Sequence, residues 1–483
     1  MKIQLKKTVL IYSILCCSFL VKSQTTQEYF PDSSKIIQQK LEEWQDLKFG
    51  LLMHWGPYSQ WGIVESWSIC PEDLSWATGG RKLGKGEHYN EYVKEYEKLQ
   101  TTFNPTQFDP TLWAKAAENA GMKYIVFTTK HHDGFCMFDT KYSDYKITNE
   151  KTPFHTNAKK NITKEIFDAF RKQGFWTGAY FSKPDWHSQF YWWDKFPPAD
   201  RHCNYSIKKY PEQWNQFIKY THNQIDELVS DYGKLDILWL DGGWVRKTDS
   251  LETINYLTEE YEGSRYARNP QSQDINMPLL VKNVRAKQPE LIVVDRAVKG
   301  PYQNYLTPEQ HIPDKGLPYP WETCMTMANS WSYVPNDKYK SSDELIQKLV
   351  DVVSKGGNFL LNIGPSPDGK FDDTSYARLN DIGNWMKINS QAIYKTRMFD
   401  VYGEDNGIRY TRSKDKKTVY VFIPSSLYGK VALDHLVYKS GMKLSWLESS
   451  KKVMSKVVNG KVNLELPTVY INAFMNVMKV EME

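Results

Sequence analysis

The chain has 483 residues and a formal net charge of +5 at pH 7, and this length exceeds one ordinary domain. Four lysines and no acidic residue lie in the first 23 residues, so removal of that segment lowers the charge from +5 to +1. A nearly neutral chain argues against a nucleic-acid-binding protein, which needs a basic face.

The N-terminus has the pattern of a secretory signal over residues 1–23. Basic residues precede an apolar run over 9–21, which is too short to span a bilayer, and a small residue stands at the expected cleavage near Ser23/Gln24. We therefore expect an exported protein, periplasmic or secreted. Cys16 and Cys17 leave a lipoprotein open as the alternative. No other stretch is apolar enough for a membrane span.

Cysteine usage beyond the signal is sparse. Four cysteines remain, widely spaced and without a CxxC motif: Cys70, Cys136, Cys203 and Cys324. This spacing predicts neither a zinc site nor a disulfide-dense scaffold, although one bridge is possible in an oxidising compartment.

Helical and strand patterns alternate along most of the chain. Short apolar runs predict strands at 49–54, 124–128, 175–181, 235–240, 291–295 and 358–362. Periodic apolar residues predict helices at 33–48, 112–120, 163–173, 211–230, 279–287, 342–354 and 373–389. Residues 64–90 read as a long loop. Such alternation predicts a parallel sheet covered by helices.

The number of repeated units favours a distorted (β/α)8-like barrel over residues 24–395. An open doubly wound sheet is disfavoured because no glycine-rich nucleotide loop follows the first strand. From residue 396 to 483 the pattern changes to short β-runs, at 418–423, 453–458 and 470–477, between turn residues. The fold class is therefore α/β, with a C-terminal all-β sandwich domain.

Chemically active residues follow the predicted strands. Asp241 ends the buried run at 235–240, and active sites of such barrels lie where strands end. The residues expected on this rim are His54, His131, His132, Asp241, Glu309 and Glu322. Two carboxylates among histidine and tryptophan favour glycoside hydrolysis. A zinc site is the alternative for the histidines, but neighbours on a strand face opposite sides, so no metal or other cofactor is expected.

Five motifs together resemble the retaining α-L-fucosidases, glycoside hydrolase family 29. They are KFGLLMHWGPY at 48–58, FNPTQFD at 103–109, TKHHDGF at 129–135, WLDG at 239–242 and GGNFLLNIGP at 356–365. The resemblance covers about 30–400 and implies a (β/α)8-like catalytic domain followed by a β-sandwich. It also implies an exo-acting enzyme whose partner is a fucosylated glycan.

The resemblance implies roles for individual residues. Asp241 matches the nucleophile, and Glu309 resembles the acid/base, with Glu322 as the competing candidate. The implied substrate contacts are His54, Glu65, Trp67, His131, His132, Tyr180, Trp239 and Trp331.

Three alternatives stay open at this stage. An α-L-galactosidase of the same family would accept one added hydroxyl, which an apolar pocket rejects only weakly; Ser330 and Ser332 beside Trp331 favour it. A non-catalytic sugar-binding protein is the other class. Arg81, Lys82 and Lys85 form either a solvated loop or a contact for a sulfated glycan. An inserted loop is expected at 245–275.

Overall fold

The computed structural model describes residues 28–71, 88–249, 271–468, 470 and 473–482. The predicted signal at 1–23 lies outside these residues, as do Arg81, Lys82, Lys85 and most of the expected insertion at 245–275. No helix of the described part of the chain is long and apolar enough to cross a membrane.

Seven parallel strands form the first sheet of the described chain. They are β1 (Phe49–Met53), β2 (Tyr124–Lys130), β3 (Trp176–Ser182), β4 (Ile237–Asp241), β5 (Ile292–Asp295), β6 (Glu322–Thr326) and β7 (Asn358–Ile363). Their order is β5-β4-β3-β2-β1-β7-β6, and every neighbouring pair is parallel. This arrangement confirms the predicted barrel-like α/β architecture.

The helices are α1 (Lys35–Leu47), α2 (Tyr89–Glu97), α3 (Pro110–Asn119), α4 (Ile162–Lys172), α5 (Pro211–Asp231), α6 (Met277–Lys287), α7 (Ser342–Ser354) and α8 (Asp373–Asn389). Helix α7 shows why they begin where they do. The Ser341 side chain accepts a hydrogen bond from the Glu344 backbone N–H, which satisfies a donor that the first turn leaves unpaired. Helix α2 was not predicted; its first residues lie in what the sequence indicated was a loop.

The sheet curls around a buried interior. One hydrophobic cluster joins side chains from all seven strands, including Leu52, Val126, Tyr180, Trp239 and Leu360. Helix α1 closes the bottom, where Trp44 stacks on Tyr305 with ring centres 4.0 Å apart. Because side chains alternate along a strand, the interior face that carries Trp239 continues two residues later into Asp241.

The seam between β5 and β6 is irregular. Isolated bridges pair Gln303 with β5, Leu306 with Trp321 just before β6, and Glu309 with β6. The segment 303–309 therefore stands where another regular strand would close the barrel, and it brings Glu309 to the same rim as Asp241. Strand β6 itself was missed in the sequence, because its residues are mostly polar or small.

The C-terminal strands form two antiparallel sheets, confirming the predicted all-β architecture. The strands are β8 (Thr396–Gly403), β9 (Arg409–Ser413), β10 (Thr418–Pro424), β11 (Gly429–Val437), β12 (Lys443–Trp446), β13 (Ser455–Val458), β14 (Lys461–Leu466) and β15 (Met475–Glu481). The sheet orders are β12-β15-β10-β9-β8 and β11-β14-β13. The five-stranded sheet packs on α7 and α8. Trp385 of α8 donates a hydrogen bond to the Met475 carbonyl of β15 at 2.7 Å.

The four described cysteines are buried, and no disulfide joins any two of them, so the possible bridge is not formed among them.

Lys48, between α1 and β1, is a buried lysine whose ammonium group has no hydrogen-bond partner among the residues that the structure describes. Burial, and next the charge of Arg397, lower the pKa of Lys48 to about 7, against about 10.4 in an unfolded chain. Between these values the unfolded state binds more protons, so wild-type stability rises with pH across this window.

We expect Lys48→Met to stabilise the protein by about 1 kcal/mol or more at pH 6, because the variant removes an unpaired buried charge. The gain should shrink as pH rises from 7 towards 10. Urea unfolding of both proteins at pH 6 and pH 9 measures it. A gain independent of pH would instead indicate that better packing, not charge removal, stabilises the variant.

Candidate active site

A cavity of about 520 Å³ opens at the C-terminal ends of the parallel strands. Its lining contains Asp241, Glu309 and all the predicted contacts: His54, Glu65, Trp67, His131, His132, Tyr180, Trp239 and Trp331. Glu322 is absent from the lining. Residues separated by up to 277 positions thus meet in one site.

Asp241 is the last residue of β4 and is held as a carboxylate. Tyr180 donates to its Oδ2 at 2.7 Å, and Arg296 donates to its Oδ1 at 2.9 Å. Burial opposes ionisation, but the charge of Arg296, with hydrogen bonds from Tyr180 and the Gly242 backbone, outweighs it. They hold the pKa of Asp241 well below its usual value.

Gly242 lets the chain turn directly after Asp241. Its φ is +87°, and an added Cβ would lie 2.2 Å from Cδ of Pro184. Both the backbone conformation and the available space therefore require glycine here. The turn places the carboxylate at the cavity wall instead of continuing the strand past it.

Arg296 bridges the two candidate catalytic carboxylates. One terminal nitrogen donates to Asp241, the other contacts Oε2 of Glu309, and the guanidinium lies 5.3 Å from the Trp239 ring centre. The Glu309 side chain is 41% exposed, whereas that of Asp241 is 14% exposed. Sequence reasoning missed Arg296, although it follows β5 directly and strand ends were the signal used for Asp241.

Glu322, the first residue of β6, lies below the cavity floor. It is fully buried, and it accepts hydrogen bonds from Tyr124 at 2.6 Å and from the Trp239 indole at 3.3 Å. Burial raises the pKa of Glu322 to about 7. This carboxyl supports Trp239 from beneath, and its separation from the lining leaves Glu309 as the carboxyl that faces the cavity beside Asp241.

The tautomer of His54 follows from its hydrogen bonds. Asn362 donates through Nδ2 to the Trp331 carbonyl at 2.7 Å, so its Oδ1 must accept from His54 Nδ1, which lies 2.8 Å away. Burial lowers the pKa of His54 to about 4. The neutral ring therefore keeps a lone pair on Nε2, suited to accept from a hydroxyl group.

His132 has the same arrangement. The Ser182 hydroxyl donates to the Pro184 carbonyl at 2.7 Å, so its oxygen accepts from His132 Nδ1 at 2.6 Å. Nε2 then carries the lone pair and lies 3.8 Å from Oδ2 of Asp241. Burial lowers the pKa of His132 to about 4.

The expectation that His131 and His132 face opposite sides was wrong. Strand β2 ends at Lys130, so the pair lies beyond the pleated strand, and both rings line the cavity with centres 4.3 Å apart. Burial lowers the pKa of His131 well below its usual value, and its Nδ1 contacts the Ser66 hydroxyl. Among the described residues, no group of three or more His, Cys, Asp or Glu could hold a metal ion.

Glu65 and Trp331 form another part of the wall. Glu65 is buried, and it accepts a hydrogen bond from the Ser332 backbone at 3.0 Å. Burial raises its pKa to about 7, so near neutral pH the carboxyl can both donate and accept. The Trp331 ring lies 5.1 Å from that of His54 and presents an apolar surface next to polar groups, as pyranose recognition requires.

Two further residues were missed, Trp244 and Arg201. Both line the cavity with Trp67. The Arg201 guanidinium lies 4.9 Å from the ring centre of Trp67 and 5.2 Å from that of Trp244. No local motif marks this arrangement, because its three members come from separate loops.

Comparisons with known proteins agree with this geometry. A family model described as Alpha-L-fucosidase matches residues 16–391. The Alpha-L-fucosidase of Dictyostelium discoideum is 27% identical over 431 residues, covering 86% of this chain and 84% of that protein. Human tissue alpha-L-fucosidase is 28% identical over 446 residues, covering 88% and 85% respectively.

Solved structures are similar over nearly the whole chain. Alpha-L-fucosidase isoenzyme 1 from Paenibacillus thiaminolyticus has a TM-score of 0.73 at 28% identity, covering 93% of this chain and 100% of that one. The Thermotoga maritima alpha-fucosidase, solved in complex with fucose, has a TM-score of 0.70 at 26% identity, covering 94% and 100%.

Proposed function

This chain belongs to the alpha-L-fucosidase family, and from that premise we propose that it is an exo-acting retaining α-L-fucosidase that releases terminal fucose from glycans. The observation that carries the proposal is the pair of carboxyl groups, Asp241 and Glu309, held by one guanidinium in a cavity lined by neutral histidines and tryptophans. Asp241 is ionised and buried, which suits a nucleophile.

The reaction has two steps. Asp241 attacks the anomeric carbon and forms a glycosyl ester, while Glu309 gives its proton to the departing oxygen. Glu309 then takes a proton from water, which attacks the same carbon and frees Asp241. Two inversions return the α-configuration. Arg296 and Tyr180, which already contact Asp241, stabilise the carboxylate as it departs.

The sugar-binding groups are arranged for hydroxyl recognition. Nε2 of His54 and of His132 are acceptors, and Glu65 can donate or accept, so together they can hold several hydroxyls in one orientation. Trp331 and Trp239 supply apolar surface for the C–H faces of the ring. This orientation places the anomeric carbon beside Asp241.

An α-L-galactosidase is the second candidate, favoured by Ser330. Ser330 lines the cavity beside Trp331, where its hydroxyl can meet the one that L-galactose carries at C6. Ser332 offers less, because its hydroxyl donates to the Ile63 carbonyl.

Hydrolysis of an aryl α-L-fucoside beside the matching α-L-galactoside tests both candidates, with the anomer of the first product followed by NMR. Early α-L-fucose with a higher kcat/KM on the fucoside is the expected result. A higher kcat/KM on the galactoside, together with a smaller preference for it in Ser330→Ala, would support the second candidate. An early β-product would overturn retention.

The pH profile gives a separate test through Arg296. Because Arg296 lowers the pKa of Asp241, Arg296→Gln should raise that pKa and move the acid limb of kcat/KM to higher pH, by about one unit or more. Arg296→Lys keeps a positive charge and should move it less. An acid limb at the same pH in all three proteins would contradict the role of Asp241 as the ionised group.

Export to the periplasm or the exterior also remains a proposal, supported by the basic and apolar pattern of residues 1–23. N-terminal sequencing of the protein recovered from its source tests it, and a chain beginning near Gln24 is expected.

A further inference from the structure

Lys183 and Asp295 form a buried ion pair across the end of β4. Lys183 directly follows β3, Asp295 is the last residue of β5, and β4 lies between these two strands in the sheet. Lys183 Nζ donates a hydrogen bond to Oδ1 of Asp295, and the two side chains are 0% and 4% exposed. The pair therefore spans the strand that ends in Asp241.

The Asp295 side chain lies on the outer face of the sheet, opposite the cavity. Asp295 is in register with Leu240, whose side chain belongs to the hydrophobic cluster that includes the surrounding helices. Successive side chains along a strand point to opposite faces, so the next residue, Arg296, points inward, where it lines the cavity. An anchor on the Asp295 side chain therefore restrains the direction in which the Arg296 side chain leaves the backbone.

Backbone hydrogen bonds join both ends of the pair to the strand of Asp241. The Lys183 N–H donates to the Asp241 carbonyl at 3.0 Å, and the Arg296 N–H donates to the Leu240 carbonyl at 3.0 Å. The chain that leaves β4 also runs close to Arg296, because a Cβ added at Gly243 would lie 3.0 Å from the Arg296 carbonyl oxygen. Asp241 thus ends its strand between two segments whose side chains the ion pair joins.

Stability alone is a weak reason for this buried pair. Burial raises the pKa of Asp295, while the charge of Lys183 and its hydrogen bond oppose that rise. The hydration that both ions lose offsets their attraction, and apolar side chains of similar volume often replace such a pair without loss of stability. What the pair does supply is geometry, because separating the two ions would leave each of them buried and unpaired.

We infer that Lys183 and Asp295 are positioning residues, whose ion pair holds the Arg296 guanidinium against Asp241. Both lie outside the cavity lining, so they act on the reaction only through Arg296 and the backbone of Asp241. The inference rests on the proposed function and adds to it the reason why Arg296 meets both Asp241 and Glu309. Small displacements of such groups have large effects on rate, since attack requires a well-defined arrangement.

The variant Lys183→Met/Asp295→Asn tests this by removing both charges together, so that no unpaired ion stays buried. On an aryl α-L-fucoside, kcat/KM should fall about 10-fold or more. The acid limb of the pH profile should move to higher pH by about half a unit or more, because a displaced Arg296 lowers the pKa of Asp241 less. The other titratable groups around Asp241 are unchanged in this variant: His54, Glu65, His131, His132, Tyr180, Glu309 and Cys324.

Lys40→Met/Asp236→Asn is the matched control, because it removes another buried ion pair at the opposite end of the same sheet. Lys40 Nζ lies 3.0 Å from Oδ1 of Asp236, which directly precedes β4, and the two side chains are 6% and 7% exposed. This control should leave the acid limb and kcat/KM close to their wild-type values.

A cycle with Arg296→Gln separates positioning from general support of the fold. If the pair acts through Arg296, adding the paired substitution to Arg296→Gln should cause no further movement of the acid limb and little further loss of kcat/KM. The same loss in both backgrounds, or an acid limb that stays at the wild-type pH, would overturn the inference. If the paired variant does not fold, Lys183→Gln, whose amide can still donate to Asp295, replaces it in the cycle with the same expected results.

A wild-type protein that hydrolyses no fucoside would refute the proposed function and would still leave the inference open to measurement. NMR titration of isotope-labelled aspartate then follows the Asp241 carboxyl, whose signal is assigned by its loss in Asp241→Asn. A higher pKa of that carboxyl in the paired variant than in wild type and in Lys40→Met/Asp236→Asn supports the inference. Equal pKa values in all three proteins overturn it.

Discussion

Asp241→Ala is expected to lower kcat for an aryl α-L-fucoside by about 10⁴-fold or more, because the variant has no group to form the glycosyl ester. Added azide should restore product formation. Azide fits the space that the side chain leaves and attacks the anomeric carbon from the same face, so the product should be the β-fucosyl azide. The product is identified by NMR, and its configuration assigns the role.

Asp241→Asn is the matched variant for this experiment. It keeps an oxygen that can accept the hydrogen bond of Tyr180, but it cannot attack and leaves no space for azide. It should therefore be as inactive as the alanine variant and should not respond to azide. An α-configured azide from Asp241→Ala, or activity in the asparagine variant within 10-fold of wild type, would assign the nucleophile to another residue.

The regular part of the fold could be predicted because its signals are local. The run at 235–240 is apolar and bounded by turn residues, and it became β4 within one or two residues. Strand β6 was not predicted because Glu322–Thr326 contains two threonines and a glutamate, although all five residues are buried. Tyr124 and Trp239 satisfy that glutamate from across the barrel, and no local pattern contains this information.

Part of the site could be predicted because its signals are also local, and the prediction failed where contacts join distant parts of the sequence. Asp241 and His54 stand at the ends of apolar runs, so their position at the rim of the barrel could be predicted from the sequence. Arg296 contacts Asp241, which is 55 positions away in the sequence, and Glu309, which is 13 positions away. Arg201 contacts two indoles that lie on distant loops. Charges that act through space leave no spacing rule in the sequence, which is why both arginines were missed. Trp244 was missed for a related reason, because the rings that it contacts lie on other loops.

Glu309→Gln is expected to lower kcat/KM by an amount that depends on the leaving group of the substrate. A fucosyl disaccharide must leave as a basic alkoxide unless it is protonated, so kcat/KM should fall about 10²- to 10⁴-fold. An aryl fucoside with an acidic phenol needs no proton to depart and should lose much less in the first step. Azide should accelerate turnover of the activated substrate and give the α-azide, because it attacks the glycosyl ester without a general base.

Glu322→Gln separates this chemistry from support of the cavity floor. Glu322 is fully buried and accepts hydrogen bonds from Tyr124 and Trp239. In Glu322→Gln the amide NH2 group would face one of these two donors without an acceptor, which should lower the free energy of unfolding by about 1–3 kcal/mol. Its kcat/KM should fall by a similar factor on both substrates, because a displaced Trp239 affects binding whatever the leaving group. A leaving-group dependence in Glu322→Gln and none in Glu309→Gln would exchange the two roles. It would also require the floor of the cavity to open in the complex, because Glu309 lines the cavity and Glu322 does not.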